Sequence, residues 1–140
     1  MMAFQRARIV SILDERREQY VRFIERLIAK APPHEVRDHT PDAGRQMSDG
    51  HVTVVVEALE ERGDEMRTTY METLIPSVVA AGVSLRGVVG GSVEFSQLIA
   101  ADVVSRLPEE DRTAATEWFA DFYAGFVTQV ADIATRARKE

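Results

Sequence analysis

The stretch from Gly82 to Leu107, GVSLRGVVGGSVEFSQLIAADVVSRL, constrains this chain more than any other. Read as a helix, it is apolar on more than one side. Val88, Phe95, Ile99 and Val103 recur at helical spacing, and so do Val89, Val93, Ala100, Val104 and Leu107. Only a narrow stripe through Arg86, Glu94, Gln97, Asp102 and Ser105 reads as solvated. So wide an apolar surface needs partners on both flanks, which places the helix inside a bundle. Gly87, Gly90 and Gly91 fall in the same stretch. Each costs about 1 kcal/mol of helix propensity relative to Ala, which a very closely packed helix would offset. These three glycines, with Glu94 and Phe95, are therefore the candidates for a close helix or subunit contact.

The rest of the chain supplies the partners, about five main helices in all with no strand pattern beyond the short run Val52 to Val56. Phe4 to Ala31 carries an apolar stripe through Ile9, Ile12, Leu13, Tyr20, Phe23, Ile24, Leu27 and Ile28. The charge run Asp14-Glu15-Arg16-Arg17-Glu18 interrupts it. That run reads as a solvated face, and the alternative is a fresh helix capped by Asp14 that leaves residues 1–13 as a separate arm. Ala31-Pro32-Pro33 ends the helix. Thr40-Pro41-Asp42 starts the next one, which runs to about Arg62 and buries Met47, Val54, Val55, Ala58 and Leu59. Gly63-Asp64 separates it from Glu65 to Ala81, where Pro76 predicts a kink near Thr73. Gly82 ends that helix and Ser84 caps the central one. After Leu107-Pro108 the last helix carries Trp118, Phe119, Phe122, Tyr123 and Phe126. Trp118, Phe122 and Phe126 are the expected aromatic core.

The net charge of −6 and the pI near 5.1 argue against a nucleic-acid partner, which needs a basic face. The absence of cysteine removes disulfides and thiolate chemistry and suits a reducing cytoplasm. The N-terminus is a poor signal peptide, and no stretch of about 18 uncharged apolar residues predicts a membrane span. No catalytic signature is present: there is no phosphate loop, no nucleophile elbow, and Glu109 and Glu110 read as helix-start charges. An enzyme is not expected, nor a metal: His34, His39 and His51, with Asp38, Asp42 and Asp49, match no zinc spacing. His51 is in register with Met47, Val55 and Ala58, so it faces inward. It reads as a core histidine and is the one candidate for contact with a ligand or cofactor, although no cofactor is expected.

Several short words in the second half resemble a known family. Val78-Val79-Ala80-Ala81-Gly82-Val83-Ser84-Leu85, Val93-Glu94-Phe95, Arg106-Leu107-Pro108, and Trp118 with Phe122 resemble the N-terminal domain of RsbR-type stressosome proteins. The likeness runs from about Ile9 to Ala134, more weakly over Ile12 to Leu27. It implies a globin-like helical fold, often without haem, serving as a dimeric sensory domain. It also implies partners: a STAS output domain further along a longer chain and a kinase in the same signalling complex. The family's phosphorylated threonines lie in the STAS segment and are carried onto no residue here. Two other readings compete. A haem gas sensor would need a histidine on the helices after Glu65, which contain none, and a ligand-binding domain like those of helical repressors would need an attached DNA-binding module.

Overall fold

The computed structural model describes residues 1–139, and its regular structure is entirely helical. Helix α1 spans Ala3–Glu15, α2 Arg17–Lys30, α3 Pro33–Val36 and α4 Ala43–Glu60. Then follow α5 Glu65–Thr69, a π turn Tyr70–Leu74, α6 Ile75–Ala80, α7 Leu85–Ser105 and α8 Glu109–Lys139. Two of the five expected helices are thus divided, the first at Arg16 and the third at the π turn, and α3 is added between α2 and α4.

The first expected helix divides at Arg16, which leaves the helical region while its guanidinium reaches across the fold to Asp102. Asp14 does not cap the new helix, and residues 1–13 are not a separate arm: Ile9 and Leu13 are fully buried in the common core. The charge run is not simply solvated either. Asp14, Glu15 and Glu18 face water, whereas Arg17 donates to Asp14, to the Asp49 carbonyl and to Thr53. Residues 40–42 form a turn, so α4 begins at Ala43, and α3 is a single helical turn inside the segment read as loop.

Pro76 accounts for the π turn. Its ring offers no N–H and crowds the preceding carbonyls, and the backbone widens so that the Ile75 N–H reaches the Tyr70 carbonyl, five residues back. The expected kink at Thr73 therefore takes the form of a π bulge. Gly82 adopts a φ of 107°, which glycine tolerates, and the Gly82 and Val83 N–H groups close the end of α6 onto Val79 and Val78. The Ser84 hydroxyl accepts from the Gly87 N–H and opens α7.

The central helix α7 packs along α8 and also touches α2, α6 and α1. Val88, Phe95, Ile99 and Val103 form its buried stripe. Its second apolar flank is covered only in part: Leu107 is buried and Ala100 and Val104 pack against the core, whereas Val93, and Leu98 beside it, are each 37% exposed. Asp102, expected in the solvated stripe, is instead turned inward onto Arg16 and Tyr20. By length and composition alone α7 is also the one described helix apolar enough to cross a membrane, where none was expected, yet here its buried stripe belongs to the shared core.

Close helix packing occurs at a different glycine from those expected. A Cβ at Gly50 on α4 would lie 2.9 Å from Leu74 Cδ1 and 3.2 Å from Tyr70 Cδ2. Nothing lies within 4 Å of such an atom at Gly90 or Gly91. At Gly87 the neighbours are Val83 and Ser84 of the same turn and the Glu35 carboxylate, so it is not a helix crossing.

Candidate functional site

An apolar cavity of about 530 Å³ opens between the C-terminal half of α2, the segment 31–40, the N-terminal half of α4, the π turn with α6, and the N-terminal half of α7. Ile24, Leu27, Ile28, Met47, Ile75, Val78 and Val88 supply its aliphatic walls, and Tyr70 and Phe95 its aromatic ones. This volume and composition are those of a small-molecule pocket. The void follows from the chain's local geometry. Pro32 and Pro33 divert it from α2 into a short turn, and the next long helix begins only at Ala43. Gly91 leaves the α7 wall without a side chain at the point where Glu94 and Phe95 follow.

His51 lines this cavity and is 1% exposed. The rings of Phe95 and Phe126 meet it edge-on, with centroids 4.8 Å and 5.1 Å away. Its Nε2 and the Tyr123 hydroxyl share a hydrogen bond of 2.8 Å. Burial pushes its pKa down to about 3, so the ring is neutral at physiological pH. Burial likewise raises Tyr123, which remains a phenol. Whichever of the two donates, one ring nitrogen is left over: His51 Nδ1 is buried with no partner. An unmet buried polar atom costs about 1–3 kcal/mol, and a ligand that met it would recover part of that. His51 is therefore a core histidine, as its register implied, with one unmet hydrogen-bonding position at a cavity wall.

Other candidates divide between this site and the rest of the fold. His39 lines the cavity with both ring nitrogens buried and unpartnered, whereas His34 is exposed. Among the described residues no three His, Asp or Glu side chains converge as a metal site, so His34, His39 and His51 are not brought together with Asp38, Asp42 and Asp49. Phe95, Glu94, Gly87 and Gly91 all line the cavity, while Gly90 faces open space. Phe126 is fully buried, but Trp118 and Phe122, expected in the core, are only partly buried and stack on each other at its edge.

No family model, curated protein or solved structure matches the chain. Function has to be argued from the cavity and what it touches. Sequence reasoning missed three of the residues that matter there. Tyr70 and Tyr123 stand on other helices than His51, and nothing in their spacing from it signals the pairing. Glu35 lay in a segment read as loop, yet it is 8% exposed and accepts a 2.6 Å bond from the Ser84 N–H, which ties α3 to the start of α7. Hydrogen bonding from Ser84, side chain first and backbone N–H second, holds its carboxyl below the ordinary range.

Proposed function

We propose that this chain is a non-enzymatic sensory domain whose input is a small, largely apolar molecule held in the cavity. The observation that carries the reading is the contact between the cavity wall and the longest helix: His51 lines the cavity and its hydrogen-bond partner, Tyr123, belongs to α8. A ligand that engages Nδ1 or displaces the ring shifts the register or tilt of α8. Tyr123 lies about 24 Å from the C-terminal end of that helix at 1.5 Å per residue, so a small shift there is transmitted along a rigid rod. The binding energy need only differ between two arrangements of α8 to bias them.

The resemblance to RsbR-type stressosome proteins supports the wider setting of this reading. In that setting the domain has a globin-like bundle without haem and works as a cytoplasmic homodimer. It feeds a STAS output domain and a kinase within a stress-signalling complex. The uncovered side of α7, with Gly90, Val93 and Leu98, is the surface proposed for the two-fold contact. Static light scattering at micromolar concentration is expected to give twice the monomer mass of 15.7 kDa. A monomer throughout that range excludes the dimer.

For the cavity, the neutral dye Nile red is expected to bind with one-to-one saturation and a blue-shifted emission. Gly91→Leu extends a side chain into open space on the α7 wall and is expected to weaken the dye at least about tenfold, with the helical circular dichroism unchanged. Absence of saturable binding by the unaltered protein, or equal binding by the two, removes the sensory-cavity reading.

A further inference from the structure

We propose that the cavity selects a cationic amphiphile, an apolar body carrying an ammonium-type head, with Glu35 as the buried counter-charge and Glu94 as a second carboxylate at the rim. This rests on the reading of the cavity as the ligand site and adds the class of ligand. The walls are unevenly charged. Glu35, Asp38 and Glu94 line the cavity, against Lys30 as the one lysine or arginine among its described lining residues. His51 is neutral, and His39 contributes two unpartnered ring nitrogens.

Glu35 is the residue that most needs a partner. It is 8% exposed, and among the described residues no lysine, arginine or histidine forms an ion pair with it. Its Oε1 accepts the Ser84 N–H and lies 3.1 Å from where a Cβ of Gly87 would stand. A carboxylate held ionised chiefly by hydrogen bonds, with the charges of His34 and Arg138 near it but neither in contact, attracts a cation and rejects an anion.

The geometry gives the head group a defined place. Glu94 follows Gly87 by two helical turns, about 10 Å along α7. Between them Gly91 projects no side chain and nothing lies within 4 Å of where its Cβ would stand, so a head group reaches the α7 backbone there, one turn beyond the Glu35 carboxylate, which itself sits over Gly87. Behind that gap Val88, Phe95 and Tyr70 form an apolar interior for the body of the ligand. The unpartnered Nδ1 of His51 marks the inner end as able to take one further hydrogen bond. A carboxylate or phosphate head would face the carboxylates with the exposed Lys30 as the one lysine or arginine on the cavity wall.

The test is displacement of Nile red from the full chain at neutral pH by decylamine, decanol and decanoate, each below its aggregation limit. Decylamine is expected to bind about tenfold tighter than decanol, with decanoate weakest. Glu35→Gln keeps an acceptor for the Ser84 N–H and is expected to remove most of the preference for the amine while leaving decanol unchanged. Glu94→Gln removes a smaller part. Decanol or decanoate binding as tightly as the amine overturns the charge assignment while the cavity reading survives. An amine preference that persists undiminished in both variants traces to the general acidity of the protein and overturns it as well. Failure of Nile red itself to bind overturns the cavity reading and this inference together.

Discussion

Phe126→Ala is expected to destabilise the fold by about 3–5 kcal/mol, the range for removing a fully buried aromatic ring. Phe126 is 0% exposed. Its ring lies 5.1 Å from that of His51, 5.4 Å from Tyr70 and 5.8 Å from Phe122, and the Arg67 guanidinium covers it at 5.7 Å. Deleting it opens a void at the junction of α4, the π turn and α8, where the π turn and the close approach at Gly50 leave little room for the neighbours to collapse. Trp118→Ala is the matched control. It is the larger ring and was the expected core tryptophan, but it lies partly exposed against Phe122 with the rings 5.1 Å apart and 6° from parallel. About 1–2 kcal/mol is expected there, since less area leaves water on folding. Urea denaturation of both variants measures the difference. An equal cost at the two positions contradicts the placement of the core at Phe126.

Local chemistry made α7 legible. Gly82, the Ser84 cap and the spacing of Val88, Phe95, Ile99 and Val103 act within a few residues of one another, and the helix starts, ends and buries as they dictate. Pro76 was equally readable as a disturbance, although its form, a π turn, depends on how Tyr70 and Met71 must both reach the core. A break within the charge run was readable only as an alternative, and its place at Arg16 was not. Its cause is Asp102, 86 residues away, and no local pattern announces a partner at that distance. The same holds for the glycines. Propensity reveals only that a glycine costs stability, not whether the vacant space holds another helix, as at Gly50, or nothing, as at Gly90 and Gly91.

The candidate site was legible only in part for a similar reason. The heptad-like register of His51 with Met47 and Val55 correctly turned it inward. A cavity, however, is space between elements and has no sequence pattern of its own. It arises because Gly91 withholds a side chain and the segment 31–42 passes over the gap with little helix to fill it. The unevenness of its charge depended on which of several scattered acids happened to share a wall.

Asp102→Asn is expected to cost about 2–3 kcal/mol at neutral pH and to change how the protein responds to acid. Asp102 is a hub: Arg16 donates to it from Nε at 2.6 Å and from Nη2 at 2.9 Å, the Tyr20 hydroxyl donates at 2.8 Å, and Arg106 approaches at 3.3 Å. The aspartate side chain is 11% exposed and that of Arg16 25%, so the figure lies below the range for a fully buried pair. Asparagine keeps one acceptor but loses the bidentate charge pairing and strands part of the buried Tyr20–Arg16 network. Burial alone would raise the Asp102 carboxyl, but the bonds from Arg16 and Tyr20 and the charges of Arg16 and Arg106 outweigh it and hold the pKa below 3.8. A depressed carboxyl adds stability that is complete above its unfolded value and is lost as pH falls through the folded one. In the unaltered protein this loss therefore begins near pH 4. His51 acts in an earlier window: its ring titrates near 6.5 when unfolded and near 3 when folded, so its contribution fades as pH falls from about 6.5 towards 3. Urea midpoints measured from pH 7 to pH 3 should consequently decline in two overlapping stages. Asp102→Asn should reduce the slope below pH 4, where Glu35 and the tail of the His51 titration also act, and leave the upper stage intact, whereas His51→Phe should flatten the upper stage. If Asp102→Asn has the same slope as the unaltered protein below pH 4, the carboxylate is not the group that anchors α1 and α2 to α7.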